Sequence, residues 1–118
     1  MPNNFVHVEL RSPDLKKATP FYEAMFGWKL EKAPMPGMEY ILYTTETGPG
    51  GGMMQAEKDG TPHWVPYVGV DDIHAAVKKA QSLGAKVRVG VQEIPGIGHS
   101  AILNDPAGSP IALFQPKM

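Results

Sequence analysis

The sequence contains no cysteine, and this absence excludes disulfide bonds, thiolate nucleophiles and thiolate-bound metals. It also has no apolar run near the roughly 20 residues that span a bilayer. The first ten residues, MPNNFVHVEL, have neither the basic leader nor the apolar stretch of a secretion signal. We therefore expect a soluble cytoplasmic protein with no membrane partner.

The chain also lacks a surplus of either charge, with 11 basic and 12 acidic residues and a pI near 6.4. Without a basic surplus there is little to neutralise phosphates, so we expect no nucleic-acid partner. The 118 residues are enough for one ordinary domain and its core. The prediction is a single domain over residues 1–118.

What is present is an internal repeat with a separation of about 57 to 60 residues. Four features recur in the same order, namely Asp14 and Asp72, Gly27 and Gly84, Pro36-Gly37 and Pro95-Gly96, and Gln55 and Gln115. Such self-similarity indicates one supersecondary unit used in tandem, each copy burying a face that it could not bury alone. We place module one at about 3–57 and module two at about 63–116.

In module one, period-two alternation over residues 4–10 predicts a strand. Ser12-Pro13 predicts the N-cap and first residue of a helix that stops at Gly27, with a kink or break at Pro20. Strands follow near 28–32, 39–45 and 51–56, separated by turns at 34–37 and 47–51. The order is βαβββ.

Module two repeats this order after a linker at 57–62. It has a strand at 64–70, an N-cap at Asp71, a helix from Asp72 to about Ser82 and a stop at Gly84. Strands follow near 85–91, 99–104 and 110–115. The apolar residues of the helix form one stripe, which we expect to cover one face of the sheet: Ile73, Ala76, Val77 and Ala80.

Three segments, FVHVELRSPDLKKATPFYEAMFGW, the Asp71-Asp72 pair and LNDPAGSPIALFQP, together resemble the vicinal oxygen chelate superfamily. This group includes glyoxalase I, bleomycin-resistance proteins and extradiol dioxygenases, and the chain is most similar to small proteins related to lactoylglutathione lyase. The resemblance implies an α+β fold in which two tandem βαβββ modules form curved mixed sheets around a cleft. It also implies that the chain pairs as a homodimer.

In metalloenzymes of this superfamily, the first and last strands of the modules supply the metal ligands. The internal repeat locates those positions here: His7 and Val65 on the first strands, and Gly52 and Ala112 on the last strands. Among these four, only His7 has a donor, whereas a catalytic zinc or iron site usually has at least three protein ligands. The prediction is that the standard metal centre is missing, with no metal or other cofactor.

His7 and Glu9 lie two residues apart on a strand and therefore share a face, which the resemblance places in the cleft. We interpret the pair as polar contacts to a small organic molecule, and as the catalytic base and its orienting group if the protein is an enzyme. The predicted apolar wall of the site is Met54, Tyr67 and Phe114, on the same strand parity as Phe5.

Other readings stay open. A relocated metal could use His7 and Glu9 with His63 or His99, whereas His74 is interpreted as a surface residue. A non-catalytic interaction module with a filled core is a further alternative, and a ferredoxin-like dimeric barrel is the alternative fold. Gly50-Gly51-Gly52 could be read as a phosphate loop, but without a GK[ST] ending or a following helix it favours a bulge or a close approach in a strongly bent sheet.

Overall fold

The computed structural model describes residues 3–33, 39–56 and 60–117. It contains two helices and eight strands in the order of two βαβββ modules. Module one consists of β1 (Phe5–Ser12), α1 (Leu15–Phe26), β2 (Lys29–Lys32), β3 (Tyr40–Thr44) and β4 (Gly51–Gln55). Module two consists of β5 (His63–Gly69), α2 (Ile73–Ser82), β6 (Lys86–Ile94), β7 (Gly98–Asn104) and β8 (Pro110–Pro116). The predicted α+β fold of tandem βαβββ modules is confirmed.

The strands of each module pair in the same way. In module one, β2 pairs with β3 and β3 with β4, both antiparallel, and β4 pairs with β1 in parallel. In module two, β6 pairs with β7 and β7 with β8, both antiparallel, and β8 pairs with β5 in parallel. The strand pairing within each module is therefore mixed, with one parallel and two antiparallel pairs.

Two stretches with sequence-based predictions lie wholly or partly outside the described residues. The turn predicted at 34–37 and residues 57–59 of the predicted linker lie outside the described residues. By its contacts the chain divides into two compact units, one of residues 7–65 and one of the described residues among 1–6 and 66–118. Over the three described ranges, no helix is long and apolar enough to cross a membrane.

The predicted N-caps are both displaced, and the observed caps are the repeated aspartates. Asp14 caps α1 by accepting a hydrogen bond from the Lys17 N–H at 3.2 Å, and Asp72 caps α2 by accepting from the Ala75 N–H at 3.1 Å. An N-cap side chain reaches the free N–H three residues later, which sets the cap at these positions. Ser12 and Asp71 therefore lie outside the helices.

Of the kink or break predicted at Pro20, the break is wrong, because α1 continues through Pro20 to Phe26, and the kink stays a prediction. Proline removes one hydrogen bond from the helix interior. Packing of this helix against the sheet compensates, since Leu15 is 2% exposed and lies in the core of the first unit. The predicted stop at Gly27 is confirmed, with φ of 69° in the left-handed region that favours glycine.

Each helix covers one face of the sheet in its own module. In the first unit the buried core consists of Leu10, Leu15, Tyr43 and Met53, with Tyr22, Trp28 and Trp64 packed against it. In the second unit, Ile73, Ala76 and Val77 of the predicted stripe pack with a core that includes Ala101. The stripe prediction is confirmed for Ile73, Ala76 and Val77. Among the described residues, α1 leaves the opposite face of its own module's strands uncovered.

The repeated glutamines explain part of the internal repeat. Gln55 Oε1 accepts a hydrogen bond from the Leu15 N–H at 3.0 Å, and Gln115 Oε1 accepts from the Ile73 N–H at 2.8 Å. In each module, the last strand thus satisfies the first free N–H of the helix, which otherwise has no partner within the helix. The device ties the helix N-terminus to the sheet.

We expect Gln55→Ala and Gln115→Ala each to lower the free energy of unfolding by about 1 kcal/mol, because each removes a helix-terminal hydrogen bond. Urea unfolding followed by circular dichroism measures this. Gln92→Ala, at an exposed position of β6, is the matched control and should change stability by less than about 0.5 kcal/mol. Equal losses in all three variants would show that the capping contacts have no special role.

Candidate functional site

Three polar residues lie on the face of β1 that points away from α1. Because side chains alternate along a strand, His7, Glu9 and Arg11 face opposite to Leu10, which lies in the core beneath the helix. Glu9 is nonetheless only 4% exposed. A buried carboxylate needs compensation, and the neighbouring residues provide it.

The compensation comes from a cation on the same strand and a phenol on another. Arg11 Nε donates to Glu9 Oε1 at 2.8 Å, forming an ion pair. The Tyr40 hydroxyl of β3 donates to Glu9 Oε2 at 2.7 Å. Both carboxylate oxygens therefore accept a hydrogen bond. Hydrogen bonds to an ionised carboxylate are stronger than hydrogen bonds between neutral groups.

Tyr40 also connects His7 to this carboxylate. His7 Nε2 lies 2.9 Å from the Tyr40 hydroxyl oxygen. Because the single hydroxyl proton goes to Glu9, which as a carboxylate only accepts, the hydroxyl oxygen accepts from His7 and Nε2 carries a proton. The result is a continuous chain of hydrogen bonds that runs from His7 through Tyr40 and Glu9 to Arg11, and we call it the polar chain.

Gly52 makes room for the Tyr40 ring. In the sheet register, Glu9 of β1 and Leu42 of β3 are both partners of Gly52 on β4. A Cβ added at Gly52 would lie 2.1 Å from the Tyr40 hydroxyl oxygen and 2.2 Å from the ring carbon that carries it. The phenol thus occupies the space that any side chain at position 52 would need.

His7 is itself mostly shielded from water. Burial lowers the pKa of His7 below its usual value of 6.5, and the Glu9 carboxylate opposes this effect. A neutral imidazole is consistent with the hydrogen-bond directions in the polar chain.

The pKa of His7 predicts a pH dependence of stability. Because the folded-state pKa is lower, the unfolded chain takes up a proton first as the pH falls below about 6.5. We expect the free energy of unfolding to decrease with falling pH in that window and to level off below the folded-state pKa. His7→Gln should remove this contribution. Urea unfolding from pH 5 to 7.5 measures it, and identical pH slopes for both proteins would contradict the assignment.

The residues at the four predicted ligand positions do not fit the metal that the resemblance implies. Val65, Gly52 and Ala112 have no donor, and the Glu9 oxygens beside His7 are already bonded to Arg11 and Tyr40. Within the described ranges, no three His, Cys, Asp or Glu side chains come together in a group that could hold a metal ion. We derive no chemistry through a metal at this site.

The remaining histidines are distributed elsewhere. His63 Nδ1 lies 2.7 Å from the Thr61 carbonyl oxygen, while its Nε2 is buried without a hydrogen-bond partner among the described residues. His99 is half-buried on β7 opposite Gln115. His74 is exposed on α2, which confirms its predicted surface position.

The predicted apolar wall is divided between the two units. Met54 lies opposite both Arg11 and Tyr40 in the sheet register, beside the polar chain. In the second unit, Tyr67 of β5 pairs with Ala112 of β8, and Phe114 follows two residues later on the same face of that strand. The assignment of Met54, Tyr67 and Phe114 to one ligand site stays a prediction.

Sequence reasoning missed Arg11 and Tyr40. Arg11 could have been found, because it follows Glu9 by two residues on the same strand and so shares its face. Tyr40 gave no such signal, since its place beside Glu9 depends on the pairing of β3 with β4 and of β4 with β1.

A family model described as "Glyoxalase/Bleomycin resistance protein/Dioxygenase superfamily" matches residues 4–113. The chain therefore belongs to this superfamily, and the resemblance noted from the sequence is confirmed.

Individual relatives show the same family. The chain is 34% identical over 106 residues to the "Putative glyoxylase CFP32" of Mycobacterium bovis, which covers 88% of this chain and 40% of that protein. It is 32% identical over 111 residues to the human mitochondrial methylmalonyl-CoA epimerase, over 77% of this chain and 62% of that one. The chain thus spans less than half of the mycobacterial relative.

Among solved structures, a hypothetical protein of Bacillus halodurans, BH1468, is similar with a TM-score of 0.75 over 100% of this chain and 97% of that one. The sequence identity is 15%, so this likeness shows the fold alone.

Proposed function

We propose that the chain is a small-molecule-binding member of its superfamily and that the polar chain of module one contacts the ligand without a metal. The observation that carries the proposal is the buried Glu9, held by Arg11 and Tyr40 on the sheet face away from α1. Buried polar groups of this kind, set among apolar residues, are typical of sites that orient small ligands.

The relatives support a small organic ligand. The human relative is named for a CoA ester, and the family description includes resistance to an antibiotic. Met54 beside the polar chain adds a polarizable apolar surface. We therefore propose an organic molecule with hydrogen-bonding groups and an apolar portion as the ligand. The homodimer and the cytoplasmic location stay predictions.

The test is a thermal-shift screen of metabolites that include acyl-CoA thioesters, together with antibiotics, because a ligand that binds the folded state raises the melting temperature. Hits are then titrated calorimetrically against the wild type and Tyr40→Phe. We expect a roughly tenfold weaker affinity in Tyr40→Phe, a loss of about 1.4 kcal/mol, because without the hydroxyl His7 and Glu9 are no longer held in the orientation in which they contact the ligand.

Tyr43→Phe is the matched control. Its hydroxyl lies on the same strand but faces α1, where it donates to the Val8 carbonyl at 2.7 Å. Burial raises the pKa of Tyr43 to about 12. Its removal should leave ligand affinity unchanged. Equal losses in both variants, or no ligand from a broad screen, would count against the proposal.

A second candidate function is acid–base catalysis by His7 oriented through Tyr40 and Glu9. The contact of His7 with Tyr40, which Glu9 holds in turn, favours it, because an oriented neutral imidazole can accept a proton. Turnover of a screened ligand that disappears in His7→Gln while binding persists would establish catalysis. Binding without turnover would restrict the protein to a ligand carrier.

A further inference from the structure

The Tyr40 ring and the bare backbone of Gly52 form a complementary pair on neighbouring strands. The three nearest atoms to a Cβ built at Gly52 all belong to the Tyr40 side chain, at 2.1 to 2.3 Å. Real Cβ contacts essentially never fall below 3.0 Å, so a side chain at position 52 and the present position of Tyr40 exclude one another. The two positions are therefore coupled sterically.

Tyr40 and Gly52 also determine which group contacts the Glu9 carboxylate. Gly52 lies opposite Glu9 in the register, so a side chain there would project beside the Glu9 carboxylate. With glycine at 52, Tyr40 fills that space instead and donates to Glu9 Oε2 and accepts from His7. The Tyr40 hydroxyl therefore occupies the space in which a metal-coordinating side chain at position 52 would stand beside His7 and Glu9.

We infer that Tyr40 and Gly52 are the specificity-determining pair of this site, which they commit to an organic, hydrogen-bonding ligand and against a divalent cation. This inference rests on the proposed metal-independent binding site. Replacing the phenol frees Glu9 Oε2, while Arg11 keeps Oε1, and a carboxylate added at 52 would then stand beside that oxygen and His7. These are three side chains, the usual minimum for a metal site. Neither change alone supplies both the space and the donor.

The first experiment measures the steric coupling by thermal unfolding. We expect Gly52→Ala to lower the melting temperature strongly in the wild type, and by less than half as much in a Tyr40→Ala background, because the colliding ring is gone. Gly90→Ala is the matched control: a Cβ there meets nothing within 4 Å, so its effect should be the same in both backgrounds. A Gly52→Ala effect that is unchanged by Tyr40→Ala would overturn the inference.

The second experiment measures metal binding with Mn²⁺ and Zn²⁺ alone, by equilibrium dialysis and calorimetry. We expect no stoichiometric metal binding by the wild type or by either single variant, Tyr40→Ala or Gly52→Glu. The double variant Tyr40→Ala/Gly52→Glu should bind one equivalent of metal, at least about 100-fold more tightly than the wild type. Adding His7→Gln to that double variant should abolish this gain.

Two outcomes of the metal titration would overturn the inference. One is stoichiometric uptake by the wild type that depends on His7. The other is a double variant with a folded circular dichroism spectrum that binds no more tightly than the wild type. The two proposals can fail separately. If the organic-ligand screen finds nothing while both experiments here give the expected results, the proposed ligand binding is rejected, but the exclusion of a divalent cation by Tyr40 and Gly52 stands.

Discussion

Gly51→Ala is expected to lower the free energy of unfolding by more than about 3 kcal/mol. A Cβ at Gly51 would lie 1.8 Å from the Val8 carbonyl oxygen and 2.7 Å from the Tyr43 hydroxyl. The first contact is with backbone, so no side-chain rotation relieves it. Either β1 separates from β4 or the sheet distorts.

Urea unfolding of Gly51→Ala against Gly90→Ala tests this expectation. Both glycines lie in strands, but a Cβ at Gly90 has open space around it. Gly90→Ala should be neutral or stabilising by up to about 1 kcal/mol, because alanine restricts the unfolded chain. Comparable stabilities of the two variants would show that close approach at Gly51 does not govern the pairing of β1 and β4.

Arg11→Met is expected to cost about 2 to 4 kcal/mol, because it leaves the buried Glu9 carboxylate without its cation. The Glu9 side chain is 6% exposed and the Arg11 side chain 26%, so water cannot fully replace the guanidinium. The methionine retains most of the apolar stem of arginine. The loss of stability therefore measures the effect of removing the positive charge rather than the effect of lost packing.

Two further variants separate this cause from a general loss of charge. Arg88→Met, at an exposed position of β6, should change stability by less than about 0.5 kcal/mol. Glu9→Gln/Arg11→Met should be more stable than Arg11→Met alone, because the neutral amide still accepts from Tyr40 but carries no buried charge. If Arg11→Met costs no more than Arg88→Met, the ion pair contributes nothing measurable.

The sequence predicted the module order because local signals and the repeat agreed with each other. Helix-start residues, glycine stops and period-two strands recur in both copies, and each acts over only a few residues, although the caps themselves are Asp14 and Asp72 rather than the predicted Ser12 and Asp71. Gln55 and Gln115 stand at equivalent positions of the two copies in the sequence. Each glutamine, however, forms its hydrogen bond with a helix N-terminal N–H about 40 residues away. Its role therefore became visible only with the strands in place.

For the glycine run, too, the sequence predicts the type of feature but not the residues that contact it. Without a GK[ST] ending, Gly50-Gly51-Gly52 indicates a bulge or a close approach, and the close approach is confirmed, by backbone atoms at Gly50 and Gly51 and by the Tyr40 side chain at Gly52. Which atoms approach could not be predicted. Gly51 meets the Val8 carbonyl and Gly52 meets the Tyr40 ring, and these partners are set by the register of β1, β4 and β3.

By itself, the sequence determined the tandem βαβββ organisation, because its signals recur in both copies. It also showed that Val65, Gly52 and Ala112 have no donor at the positions where the family resemblance implies metal ligands. Only the tertiary structure decided what stands in place of those donors. Tyr40 is 31 residues from Glu9, and hydrogen bonding between them requires three strands in one register. Strand pairing of this kind depends on the fold of the whole module, which no local pattern specifies.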